Sequence, residues 1–219
     1  MAEIVSANDR ICACLGADLL WRDVRLGRFE RPSPALVLDR DGVIIEEKLY
    51  LSDPARIELL PGAVDLIRRA HSLGLAVIEV TNQAGIGRGK YGWPEFAAVE
   101  DRLTALLAAA GTHIDAVFAC PFHPDGQNSY RHPNHPWRKP NPGMLLEAAE
   151  LLNLDLRRCI MAGDKASDIE AARAAGLPAA VQVLTGHGRD HAAASAALIT
   201  ISFHVFVVRD ALAARQYIT

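Results

Sequence analysis

Short, mostly apolar runs recur along this chain, and three of them stop abruptly at polar residues. Ala35 to Leu38 is aliphatic, follows Pro34 and runs into Asp39. Such a run, too short for a helix and bounded by turn signals, predicts a strand buried on both faces. Leu75 to Val80 is a second, ending in Thr81-Asn82-Gln83, and Cys159 to Ala162 is another, ending in Gly163-Asp164. Ile114 to Ala119, Ala179 to Leu184 and Leu198 to Phe203 complete six candidate strands. Between them the apolar spacing changes from continuous to helical. Val64, Leu66, Ile67, Ala70 and Leu73 share a helix face after Pro61-Gly62 and stop at Gly74. Phe96, Val99, Leu103, Leu106 and Leu107 mark a second helix behind Pro94, closed near Gly111. Asn141-Pro142 supplies a cap and first residue for Met144 to Leu152, and a further helix follows Asp164 and stops at Gly176.

Strand alternating with helix predicts an α/β fold, a Rossmann-like parallel sheet flanked by helices. In such a sheet the carboxyl ends of the strands lie along one rim, where ligands bind. Asp39 with Asp41, Thr81 with Asn82, and Asp164 therefore converge. Burial alone gives no reason for polar residues at the same end of three strands. Two close carboxylates at a rim favour a divalent cation or a shared proton.

The chain divides into an extension, residues 1–34, packed on the outside of the core, and a catalytic domain, residues 35–219. Ile11, Leu15, Leu19, Leu20 and Leu26 suggest a helical piece in the extension. With 50% apolar and 22% charged residues in 219, the composition is that of one ordinary domain with a sizeable core. A net charge of -3 without a Lys/Arg cluster argues against a nucleic-acid or membrane partner, so any phosphate must be gripped locally. Met1 to Trp21 lacks a basic segment followed by an apolar one, and Ala196 to Val208 is too short to span a bilayer. The expectation is a cytoplasmic monomer. Four cysteines, Cys12, Cys14, Cys120 and Cys159, do not make a disulfide framework in a chain of this length.

Asp39-Arg40-Asp41-Gly42-Val43, Thr81-Asn82-Gln83, Arg138-Lys139-Pro140 and Gly163-Asp164-Lys165 with Asp168, in that order, resemble the four motifs of the haloacid dehalogenase superfamily of phosphatases. The likeness covers roughly Ala35 to Thr185. Within the superfamily it is nearest to the branch of heptose bisphosphate and histidinol-phosphate phosphatases. Taken singly, each residue has a plain reading: a turn Asp, a strand-end Thr, a solvated Lys. The resemblance implies more. Asp39 matches the nucleophile that forms an aspartyl phosphate. Asp41 matches the acid that protonates the leaving alkoxide and then activates water. Thr81 matches the hydroxyl donor to the phosphoryl group, and Lys139 the cation beside it. Asp164 matches the Mg²⁺ ligand, completed by the Asp39 side chain and the Asp41 backbone carbonyl, with Asp168 orienting Lys139 or the metal shell. Three converging carboxylates would repel without a cation, which points to magnesium independently.

The intervals from Asp41 to Thr81 and from Thr81 to Lys139 leave no room for a large cap domain, so short loops must shape the pocket. By resemblance, Arg40, Glu47, Tyr50, Asn82, Gln83, Arg138 and Lys165 line a small phosphorylated sugar. Arg138 and Lys165 are the candidate partners of a second phosphate. The rivals are a histidinol-phosphate phosphatase and a sugar-phosphate-binding module that has lost catalysis; retention of Asp41 argues against the second. Many relatives hold a structural zinc in the loop after the fourth strand. Here Phe122, His135 and Trp137 replace three of its ligands while Cys120 stays. A zinc-free loop is expected, with a substitute set of Cys120, His123, His132 and His135 as the alternative.

Overall fold

The computed structural model describes residues 7–219. Seven strands form one sheet: β1 (Trp21–Val24), β2 (Ala35–Leu38), β3 (Ala76–Asn82), β4 (Ala116–Cys120), β5 (Ile160–Gly163), β6 (Ala179–Val183) and β7 (His204–Val208). Their order across the sheet is β1-β4-β3-β2-β5-β6-β7, parallel except for β1. The helices are α1 (Ala7–Cys14), α2 (Ala63–Ser72), α3 (Ala84–Gly87), α4 (Trp93–Ala109), α5 (Gly143–Leu152), α6 (Ala166–Ala174), α7 (Gly188–Ala196) and α8 (Ala211–Ala214). Two apolar layers, one on each face of the sheet, make the core. One holds Leu36, Leu38 and Val77 with the inner faces of α2 and α4. The other holds Val37, Ile78 and Met161 with α5 and α6. Alternate residues of β2 thus point to opposite layers, as a doubly covered strand requires.

The chain leaves β2 toward β3 and β4 on one side, and β5 toward β6 and β7 on the other. The carboxyl ends of neighbouring β2 and β5 therefore flank the point where the winding reverses, and open sheets place their ligand crevice there. Asp39 follows β2 and Asp164 follows β5. Only short loop structure separates Asp41 from α2, with no inserted domain.

Three expectations about elements need correction. Among the described residues the extension is helical only over Ala7–Cys14; Trp21–Val24 is a strand, paired antiparallel with β4 from Trp21↔Ala119 to Val24↔Ala116. Trp21 is fully buried, its ring 5.5 Å from that of Trp93 and edge-on to Phe96 at 5.3 Å, so the aromatic contact outweighs the charged Arg22 and Asp23 that obscured the pattern. The last strand is His204–Val208, not Leu198 to Phe203. Hydroxyls spoil the earlier stretch: Thr200 Oγ1 accepts from Ser202 N, and Thr200 N donates to Phe203 O at 2.9 Å, closing a turn. Finally, β3 runs on through Thr81 and Asn82, whose ladder with Ala119 and Cys120 fixes both residues inside the sheet. Among the described residues no helix is long and apolar enough to cross a membrane.

Candidate active site

At the carboxyl rim the strand ends enclose a cavity of about 450 Å³. Asp39, Asp41, Thr81, Lys139 and Asp168 lie in its wall together with Glu47, Tyr50, Gln83, Arg138 and Lys165. Ligand oxygens of Asp39, Asp164 and Asp168 all fall within 4.8 Å of one another, and all three residues are buried. Lys139 Nζ donates to Asp39 Oδ1 at 2.7 Å and lies 2.7 Å from Asp168 Oδ1, with the Val80 carbonyl accepting a further bond at 2.7 Å. Burial works against the ammonium, but Asp168 and Asp39 outweigh it and raise its pKa. The lysine is a fixed cation.

Lys139 owes that position to Asn82. The Asn82 side chain accepts from Lys139 N at 3.1 Å and donates to Lys139 O at 3.0 Å, clamping the backbone just before the cis Lys139–Pro140 bond. Asn82 thus holds the lysine's main chain and also lies in the cavity wall. Asp168 also accepts from Lys165 N at 3.0 Å, closing the first turn of α6.

Asp164 is fully buried and cradled by backbone. His187 N donates to its Oδ2 at 2.8 Å. Gly42 and Gly186 press on it from two sides, both with left-handed φ (+84° and +53°), and a Cβ on either would fall 2.4 or 2.3 Å from Asp164 Oδ2. Only glycine meets both demands. Burial first, then the charge of Asp39, pushes the Asp164 carboxyl up to about 7. Three carboxylates here face too little positive charge, and their oxygen-only donor set suits a hard divalent cation such as Mg²⁺.

The carboxylate of Asp41 is oriented by two donors, Arg40 at 3.0 Å and Gln83 Nε2 at 3.1 Å. The same Gln83 amide donates to Thr81 Oγ1 at 2.8 Å, leaving the threonine hydroxyl proton free for another acceptor. Tyr91 OH in turn donates to Gln83 Oε1. Arg40 also lies in the cavity wall, its guanidinium buried, paired with Glu100 at 2.9 Å and with Asp41, and set over Phe96. Beside this cluster, in mid-β3, sits Glu79, fully buried; among the described residues neither of its carboxyl oxygens has a hydrogen-bond partner. Burial, then the charge of Glu100, raises its pKa well above the usual carboxylate range, although Arg40 pulls the other way.

The outer wall is looser. Lys165 Nζ reaches Glu47 at 3.1 Å and Asp164 Oδ1 at 3.4 Å, and His187 stands 3.6 Å from the same Glu47 oxygen. Tyr50 OH accepts from Arg88 at 2.9 Å, with the backbone at φ +55°. Arg138 donates to Phe122 O at 3.1 Å. Sequence reasoning missed His187 and Tyr91 in this wall; a lone His after a Gly, and a Tyr in a Gly-rich loop, carry no motif. The four residues of the alternative zinc set are not gathered as one ligand cluster. His123 Nδ1 accepts from Arg88 Nε at 3.3 Å, and Phe122 stacks on the His135 ring with centroids 4.0 Å apart.

Residues 136–211 match the family described as "HAD-hyrolase-like". The chain is 49% identical over 159 residues to the D-glycero-beta-D-manno-heptose-1,7-bisphosphate 7-phosphatase of Mesorhizobium japonicum, covering 72% of this chain and 73% of that one. It belongs to the haloacid dehalogenase superfamily of phosphatases. As a member of that family it is a phosphoric monoester hydrolase. A HAD-like phosphatase of Mesorhizobium loti superposes with a TM-score of 0.80 at 40% identity, covering 91% of this chain and 94% of its own. The D,D-heptose 1,7-bisphosphate phosphatase of B. bronchiseptica, solved with magnesium and phosphate, superposes with a TM-score of 0.73 at 31% identity, covering 84% of this chain and 97% of its own. The fold of this phosphatase is thus the HAD-like one that its four motifs imply, built on the α/β order of strands and helices.

Proposed function

We propose that this phosphatase removes the 7-phosphate of a D-glycero-D-manno-heptose 1,7-bisphosphate through a phosphorylated Asp39. The observation that carries the chemistry is the Lys139 ammonium held 2.7 Å from both Asp39 and Asp168, beside the crowded carboxylates of the cavity. Lys139 offsets the charge of the nucleophile as an anionic phosphate approaches. Asp39 attacks phosphorus while the sugar alkoxide leaves. Asp41, oriented by Arg40 and Gln83, gives that alkoxide its proton and afterwards takes one from the water that cleaves the aspartyl phosphate. The Thr81 hydroxyl donates to a phosphoryl oxygen. Asp39 and Asp164, with the Asp41 backbone carbonyl, would hold Mg²⁺, which neutralises phosphoryl charge and leaves Asp168 for Lys139.

The choice of substrate draws on the heptose bisphosphatase at 49% identity and on the open cavity of about 450 Å³. Lys165 and Arg138, both in its wall, are the cations suited to the distal phosphate. Side-by-side kcat/KM on the heptose bisphosphate and histidinol phosphate tests the assignment, and preference for histidinol phosphate would overturn it. Asp39→Asn tests the mechanism: turnover of every phosphate ester should vanish while the folded spectrum persists. Undiminished turnover would remove Asp39 from the reaction.

A further inference from the structure

At the opposite end of the sheet, His71, His113 and Asp115 bring two imidazoles and one carboxylate together, with ligand atoms all within 4.8 Å of one another. His71 Nε2 lies 3.1 Å from Asp115 Oδ2, and His113 Nε2 lies 3.1 Å from Asp115 Oδ1. The two rings stack side by side, centroids 4.4 Å apart and 23° from parallel. This cluster neighbours Val77 at the start of β3, whereas the catalytic rim begins at Asn82; five residues of strand put about 17 Å between them. It therefore shares nothing with the catalytic carboxylates.

We propose that these three residues form a second metal site, for a divalent cation of the zinc class. A bare imidazole nitrogen facing a carboxylate oxygen at 3.1 Å needs something positive between them, a proton or a metal ion. The supporting contacts favour the ion. Thr112 Oγ1 lies 3.3 Å from His71 Nδ1, placed to accept that nitrogen's proton once Nε2 binds a metal ion. Val77 N donates to Asp115 Oδ2 at 2.7 Å, fixing the carboxylate independently of either histidine. Ligands held by outer hydrogen bonds of this kind are the usual design of imidazole–carboxylate centres. His113 and Asp115 are two apart in the loop that leads into β4, and His71 arrives from the last turn of α2. Nearby Arg25 directs its guanidinium to Asp23 at 2.7 Å and to the Ile114 carbonyl at 3.4 Å rather than to the Asp115 carboxylate.

Two nitrogens and a carboxylate select zinc, nickel or cobalt over magnesium, which prefers oxygen alone. Three protein ligands leave at least one position for water, and 63% exposure of His113 gives the ion a path from solvent. A metal here would tie the end of α2 to the start of β4, a structural clip rather than a second reaction centre.

The test is a titration of the full chain, in excess Mg²⁺, with Zn²⁺ followed by thermal melting and with Co²⁺ followed by its visible absorption. The expected result is one ion per chain and a melting temperature that climbs with zinc concentration. His113→Ala, at a largely exposed position, should fold and keep its Mg²⁺-dependent kcat/KM but bind Co²⁺ at least about tenfold more weakly. Thr112→Val should weaken binding by about 10- to 100-fold with all three ligands present. Absence of both signals in the unsubstituted chain, or an unchanged Co²⁺ spectrum and affinity in His113→Ala, would overturn the site.

Discussion

Glu79→Gln should make this protein more stable with rising pH relative to the unsubstituted chain. Glu79 lies in the interior strand β3, opposite Leu38 of β2 and Val117 of β4, with no exposure. Burial and the Glu100 charge keep it protonated in the folded state well above the pH at which a free carboxyl ionises. Unfolded, it ionises near pH 4.3. The folded chain therefore binds one more proton across the window above that value. Stability from this group is fully present below about pH 4.3 and is lost, at up to about 1.4 kcal/mol per pH unit, until the folded-state carboxyl itself ionises. At that limiting slope each pH unit of the window corresponds to about 3–6 °C in Tm for a chain of this size. Glutamine keeps the shape, cannot ionise and removes the slope. Calorimetric melts of both proteins at several pH values, at constant Mg²⁺, measure the difference. Parallel Tm–pH curves would show that Glu79 enters the fold ionised and would refute the reasoning.

Gly186→Ala should raise the Mg²⁺ concentration needed for half-maximal turnover by about 10- to 100-fold, because the new methyl displaces Asp164 Oδ2; Mg²⁺ dependence of the rate measures it, and an unchanged requirement would separate Asp164 from the metal. Thiol titration of the native protein at pH 8 should find one fast cysteine, the exposed Cys12. Burial pushes the Cys120 thiol up to about 12 and the Cys159 thiol up to about 11, so almost no thiolate exists at either until the pH nears those values. Fast reaction of three or more thiols would contradict the packing around β4 and β5.

Much of the catalytic rim was legible because each part is written locally. An aliphatic run followed by Asp39 declares both strand and rim, and Asp164 after Gly163 does the same. What escaped notice depends on residues distant in the chain. Nothing near Arg40 in sequence says that Glu100, 60 positions on, will hold its guanidinium against Asp41. Nor does anything near Asn82 say that its amide will clamp the Lys139 backbone, 57 positions away. Gly186 looks like an ordinary turn glycine, since nothing nearby in sequence says that a buried carboxylate will rest on its Cα. Strand β1 hid for a different reason: Trp-Arg-Asp-Val is short and half charged, and only Trp93 and Phe96 of α4 make burial of Trp21 favourable.

That antiparallel border strand has a consequence for association between molecules. A sheet edge offers unpaired amides and carbonyls to any passing strand, a template for aggregation. The five buried, uncharged residues of β4 would be such a template. Trp21 to Val24 occupies those backbone groups, and partly buried Arg22 and Asp23 put charge on the new border in their place. The segment ahead of β2 thus covers an apolar flank of the sheet that would otherwise invite a neighbouring strand.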